Sequence, residues 1–415
     1  MPLLPHSCLL ALCFICIGVA QTAAQPARSV HENPLLRPST LPFQAPPFDQ
    51  IRNADYQPAL EEGMKQHLAE IEEITSQSAA PTFQNTIVAM ERSGVLLDRV
   101  SRVFFAMAHA NTDSTLQRVQ AEEAPRLAAH NDAVYLNDSL FRRVESIYDR
   151  RSSLGLDAEQ EALVERYYLD FVRAGARLPE ADKTRLKALN KEESVLSTEF
   201  RKRLLAATKA GAVIVDDPAR LAGLSDGAVD AAAEAARQRG LEGKWLLPLQ
   251  NTTQQPAQAS LRDRSLRERL FRASTGRAEH DDANDTRELI TRLAQVRAEQ
   301  AKLLGYSTFA DYKLADQMAK TPEAAIKLLT DLVPAAKAKA QAEAAKMQAL
   351  IDQQGGSFQL EPWDWQYYAE QVRRTEYALD EAQIKPYFEL DRVLRDGVFY
   401  AANQLYGLTF RERKD

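Results

Sequence analysis

The sequence predicts a mainly α protein: a helical N-terminal domain, then the first helices of a second core, with one or two short β segments. Three observations carry that expectation. The 415 residues contain only 16 glycines and 19 prolines, well below the roughly 12% of average usage. Apolar residues recur at three- and four-residue steps over most of the length. Only two short stretches read as strands.

Residues 1–24 read as an export signal. Leu9 to Ala20 is an unbroken apolar run followed by small residues, Ala23 and Ala24 among them, and such a run is too short to cross roughly 30 Å of hydrocarbon. The expected location is the periplasm, with the cytoplasm as the alternative, and no membrane contact is expected after cleavage. All three cysteines, Cys8, Cys13 and Cys16, lie inside this segment. The chain beyond it has no thiol for disulfides or catalysis, which suits an oxidising compartment. Residues 25–54, rich in proline and polar side chains, read as an extended arm.

Residues 55–215 read as the N-terminal helical domain. One apolar face runs from Thr82 through Ile87, Met90, Gly94, Leu97, Val100, Phe104 and Met107, with Pro81 and Thr82 as its start. Further helical patterns fill 113–151, 157–174 and 179–210. Residues 216–259 read as a small α/β connector: a helix near 225–239 lies between apolar runs at Ala212–Val215 and Trp245–Leu249, both expected to be strands. In 260–415 the helices resume, with one over 286–305 and another over 321–354. Pro334 falls inside the latter, and its missing N–H predicts a kink or break near Val333.

The net charge of −6 lacks the basic stripe a nucleic-acid binder needs, so no nucleic-acid partner is expected. Glu279, His280, Asp281, Asp282 and Asp285 have neither the glycine nor the distal glutamate of a calcium loop. They read as a loop, with Asp285 and Glu288 as a capping box. His67, His109 and His130 each read as a lone histidine on a helix, and the two-residue step from His130 to Asp132 puts them on different faces. Gly240 to Trp245 lacks the length and the hydroxyl of a phosphate loop. Pro362-Trp363-Asp364-Trp365, with Tyr367 and Tyr368, reads as an aromatic corner anchoring a helix start, with Asp364 as N-cap.

Several long segments carry a resemblance: STLPFQAPPFDQIRNADYQPALEEGM, FQNTIVAMERSGVLLDRVSRVFFAM, KWLLPLQNTTQQPA, the stretch from Asn284 to Ala325, and the run from Phe358 to Phe410, which holds twelve of the 31 aromatic residues. Together they resemble the thimet-oligopeptidase-like zinc metallopeptidases, and among them the bacterial peptidyl-dipeptidases. The resemblance implies a helical ellipsoid cut by a deep channel, with zinc at its floor, that releases C-terminal dipeptides from short peptides. It also implies that residues up to about 215 form the distal helical part and that 260–415 begin the catalytic core.

Zinc in that family sits on His-Glu-x-x-His, and this chain reaches Asp415 without it. Its histidines are His6, His31, His67, His109, His130 and His280, and no two stand one helical turn apart. The expectation is an N-terminal portion that stops before the zinc motif. No catalytic or metal-ligating residue is therefore assigned, no substrate-binding residue is identified, and the chain alone is expected to be inactive. Zinc is expected of the complete family member only, as are short-peptide substrates. The alternative is a non-enzymatic helical protein that binds peptides or acts as a scaffold.

Overall fold

The computed structural model describes residues 31–378, 381–412 and 414. The segment 1–24, read as an export signal, and the first residues of the arm lie outside the described residues. From residue 31 to Asp55 the chain makes three short 3-10 turns, and the side chain of Asn33 caps the first by accepting from the Leu35 N–H at 3.0 Å.

The first helices are α1 (Tyr56–Thr75), the single turn α2 (Ala89–Glu91), α3 (Val95–Ala110), α4 (Ser114–Tyr135), α5 (Asp138–Arg150), α6 (Ala158–Ala174) and the long α7 (Glu180–Ala210). One core, around Tyr56, Leu60, Val100, Phe104 and Leu116, joins α1, α3 and α4. A second, around Ile87, Leu140, Ile147, Val164 and Phe171, joins α5 and α6 to the segment before α2. Burying such side chains supplies roughly 1.5–3 kcal/mol apiece against the exposed state, so these two clusters dominate the stability of this half. The starts follow capping chemistry: Asp113 accepts from Leu116 N–H, Asn137 from Leu140 N–H, and Asp157 shares a capping box with Gln160.

Next come β1 (Val213–Val215), α8 (Asp226–Arg237), β2 (Trp245–Leu247), α9 (Asn251–Ser260) and α10 (Arg264–Thr275). The two strands are antiparallel, Val213 opposite Leu247 and Val215 opposite Trp245. Their inward residues pack with Leu221, Leu266 and Leu270 in a third core, which is what keeps so short a ladder in place. Then follow α11 (Arg287–Leu303), α12 (Phe309–Leu314), α13 (Pro322–Gln353), α14 (Trp365–Tyr377), α15 (Glu381–Ile384), α16 (Leu390–Arg392) and α17 (Tyr400–Tyr406). The protein is mainly α.

Four expectations change. The apolar stripe from Thr82 is not one helix. Gly94 sits at φ +70° and separates α2 from α3, because a left-handed residue ends a helix however regular the flanking pattern. The pattern over 113–151 is likewise two helices, parted at Leu136 and Asn137, where the Asn137 side chain opens α5. Conversely, α13 runs without a break through Pro334. It starts from a Thr321 cap with Pro322 in the first turn, and the alanine-rich stretch after Pro334 has the propensity to outweigh one lost backbone bond. Finally, Asp285 and Glu288 form no capping box: the Asp285 carboxylate accepts from the N–H of Arg287, two residues on, and from that of Asp281, while α11 begins after Thr286 with no side-chain cap.

At Gly94 a Cβ would meet the His67 ring at 3.0–3.1 Å, in a conformation side chains rarely adopt. Gly94→Ala is expected to lower the unfolding free energy by about 1–3 kcal/mol, read as a lower urea midpoint with an unchanged slope.

Candidate functional site

The structure brings together two of the histidines that read as solitary. His67 on α1 and His130 on α4 meet with Nδ1 of the first 2.9 Å from Nε2 of the second. Their tautomers follow from the neighbours. Ser93 donates its hydroxyl to the Met90 carbonyl at 2.7 Å, and its oxygen lies 3.3 Å from His67 Nε2. His67 Nε2 therefore carries a proton that Ser93 accepts, His67 Nδ1 is an acceptor, and His130 Nε2 donates to it. That leaves His130 Nδ1 as a bare lone pair, buried and without a partner. Burial, with the His67 ring beside it, pushes His130 down to about 4, and burial lowers His67 as well. No acceptor awaits a second proton.

The other described histidines are structural or exposed. His31 bonds Asp55 at 2.9 Å, His109 lies beside the Phe105 ring, and His280 is exposed in its loop. That acidic loop is held by Arg287, which pairs with Asp281 and Asp285 and keeps the Asp285 carboxyl well below the usual carboxylate range. Among the described residues, no three His, Cys, Asp or Glu side chains converge as a metal site.

A cleft of about 350 Å³ opens where α4, α7, α11 and α12 meet. Its floor is polar. Asp132 accepts from Asn190 Nδ2 at 2.7 Å, Asn190 Oδ1 accepts from Gln300 at 2.9 Å, and Gln300 also donates to Glu193 at 3.0 Å. Glu193 is held in turn by Arg297 at 2.8 Å. Asp132 has no such cation, and burial raises it to about 6 although Asn190 and the field of Lys187 oppose the rise. His130 and Asp132 face different surroundings, as their spacing predicts.

The aromatic corner proves to be an ionic centre. Asp364 is fully buried and takes Arg267 Nη2 at 2.8 Å on one oxygen and Arg264 Nη2 at 2.8 Å on the other. Arg267, 1% exposed, spends Nη1 on the carbonyls of Leu261 and Arg262, while its Nε has no partner. Each guanidinium lies on an aromatic ring, Arg264 on Phe358 and Arg267 on Tyr367, both at 4.2 Å. Asp364 precedes α14, yet its side chain caps nothing there: it is spent on the arginines. The local sequence could not announce arginines 97 and 100 positions away.

Helical pairs around a polar cleft, with a buried arginine–aspartate centre, define a mainly helical scaffold, and comparison with known proteins shows what it resembles. Residues 257–415 match Peptidase family M3. The chain is 55% identical over 383 residues to dipeptidyl carboxypeptidase of Escherichia coli (strain K12) and 53% identical to that of Salmonella typhimurium (strain LT2), in each case over 92% of this chain and 56% of the relative. Oligopeptidase A of Escherichia coli is 28% identical with the same coverage. The chain is thus similar to Peptidase family M3 over residues 257–415 and to the two dipeptidyl carboxypeptidases over most of its length. It spans about half the length of the curated relatives it matches.

Two outcomes test the site chemistry. Asp364→Ala strands Arg267 in the interior, and losing one partner of a buried ion pair costs about 3–5 kcal/mol, to be read from urea unfolding. Asp132 binds its proton more tightly folded than unfolded, so its contribution is full at low pH and is lost as pH rises from 3.8 through about 6. Asp132→Asn is therefore expected to stabilise the protein above pH 6 by up to roughly 3 kcal/mol, with the gain vanishing below pH 4 in unfolding curves taken across that range.

Proposed function

We propose that this chain is part of a zinc-dependent peptidyl-dipeptidase that removes C-terminal dipeptides from short peptides, and that alone it is inactive. The carrying observation is the contrast in identity: 55% to a dipeptidyl carboxypeptidase against 28% to an oligopeptidase. That difference favours dipeptide release over internal cleavage. Export to the periplasm is part of the reading, on the strength of the apolar run Leu9–Ala20 and the absence of cysteine after Cys16.

The described residues do not fit a zinc centre. His67 and His130 are committed to each other, and no third ligand joins them among the described residues. Hydrolysis by this chemistry needs a metal to acidify water and polarise the carbonyl, so we assign that group to sequence corresponding to the remainder of the relatives' length. The surface supports the division. Ile326, Leu329 and Val333 are exposed along α13, and Tyr387, Phe388, Leu390, Leu405, Tyr406 and Phe410 are exposed in the C-terminal segment. So many exposed large apolar side chains mark surface that another part of a protein covers. A second reading, peptide binding without hydrolysis, draws its support from the polar cleft.

Purified chain incubated with zinc and an N-blocked tripeptide is expected to release no dipeptide and to retain no zinc after dialysis. Fused to the C-terminal remainder of the Escherichia coli relative, it is expected to gain both. Stoichiometric zinc with turnover from the chain alone overturns the division.

A further inference from the structure

We propose that the cleft between α4, α7, α11 and α12 holds one alkali-metal cation, bound through oxygen at the free carboxylate oxygen of Asp132. The site involves neither zinc nor peptide hydrolysis and does not depend on the peptidase reading. It rests on a buried charge that the fold leaves unmatched.

Asp132 on α4 is more than nine-tenths buried and lines the cleft. Its Oδ1 accepts from Asn190. Its Oδ2 has no hydrogen-bond partner among the described residues, yet it is open to the cavity, unlike sealed orphan atoms such as His130 Nδ1. A buried carboxylate is costly unless a cation meets it, and the surrounding side chains supply none. Lys187 reaches Asp132 through its field alone, and Arg297 is taken by Glu193. Lys313 lines the cleft but rests over the rings of Phe309 and Tyr312 and is not among the charges that act on Asp132. The amide series that starts at Asp132 therefore meets a cation, Arg297, at its far end alone.

The wall favours an alkali ion over other cations. Both oxygens of Glu193 are occupied, by Arg297 and Gln300, so one carboxylate charge is free, and a divalent ion, which gathers several carboxylates, would stay under-neutralised. Among the described residues no His or Cys lines the cleft, which removes the ligands that transition metals prefer. The aromatic faces on which an organic ammonium settles already carry cations, Arg297 and Lys313 over Phe309 and Arg173 and Lys313 over Tyr312. What remains is oxygen. Asn190, Ser194 and Ser197 stand at i, i+4 and i+7 on α7, hence on one face of that helix, and all three line the cleft. Asn190 holds Asp132, and Ser194 follows one turn along, its Cβ roughly 5–6 Å from that of Asn190. The Ser194 hydroxyl donates to the Lys191 carbonyl at 2.7 Å, which leaves its lone pairs free, and Ser197 has no hydrogen-bond partner among the described residues. A cavity of about 350 Å³ leaves room for the waters that complete the ion's shell.

Thermal unfolding of the full chain tests the site, with tetramethylammonium chloride replaced stepwise by KCl, NaCl or methylammonium chloride at a constant ionic strength of about 0.15 M. K⁺ or Na⁺ is expected to raise the midpoint saturably by at least about 2 °C. Asp132→Asn is expected to abolish that rise, whereas Glu242→Gln, which removes an exposed charge outside the cleft, retains it. Sodium NMR lines broadened by the unaltered chain and sharpened by added K⁺ are the result expected without any variant. Equal midpoints in all four salts, a rise given by methylammonium alone, sodium lines that the chain does not broaden, or a cation dependence that survives Asp132→Asn with an unchanged near-UV circular dichroism spectrum would overturn the assignment. None of these outcomes touches the peptidase reading, since neither turnover nor zinc is measured.

Discussion

The packing of α10 against the segment that opens α14 depends on one buried carboxylate. Asp364 pairs with Arg264 and Arg267 at once, and without it the buried Arg267 guanidinium would be left without a counter-charge. Ionic pairs of this kind add little net stability over a well-packed apolar contact, but they tolerate no substitution of one member and no slip in register. The surrounding rings lower the cost, because Phe358 and Tyr367 present their faces to the guanidinium planes. The last described core, around Met347, Ile351 and Tyr368, thereby gains a fixed angle to the β1–β2 unit.

The N-terminal helices follow a different economy. Their interior is largely apolar, and its polar members are satisfied by one another. Arg143 reaches the carbonyls of Gln77 and Ala79 and the side chains of Asn85 and Thr86. The Asp132–Asn190–Gln300–Glu193–Arg297 series crosses three helices without an apolar break. Such a relay fixes how α4, α7 and α11 rotate about their own axes, since each amide has one productive orientation. Thr112 Oγ1, Glu123 Oε2 and His130 Nδ1 are buried without a partner, and His130 and Asp132 both line a cavity.

The fold was legible in the sequence wherever the determinant was local. Helix periodicity placed α6, α7, α8 and α11 within a few residues, and the two strands emerged from Ala212–Val215 and Trp245–Leu249. The failures share a cause. At Gly94 a single backbone conformation outweighed six well-spaced apolar residues, and at Pro334 the helix-forming context outweighed a single breaker; pattern weighs every position alike, whereas energy does not. The site was less legible. His67 and His130 are 63 positions apart, and Asp364 is farther still from its arginines, so nothing in either neighbourhood signals the pairing. Asp364 did carry a hint, since an acidic residue flanked by Trp363 and Trp365 is a poor candidate for solvent exposure. Its resemblance-based family placement, by contrast, needed only collinear segments.

That spacing has a consequence for biogenesis. On a ribosome adding about 5–20 residues each second, Arg267 leaves the peptidyl-transferase centre roughly 5–20 s before the aspartate that will neutralise it. During that interval α10 carries two cations that cannot be desolvated, so the third core stays hydrated at that edge even though its leucines are already available. Closure of the molecule is timed by the arrival of one acidic residue, and an arrest of synthesis before residue 364 would yield a chain whose first cores are complete and whose α10 remains open to chaperones and proteases.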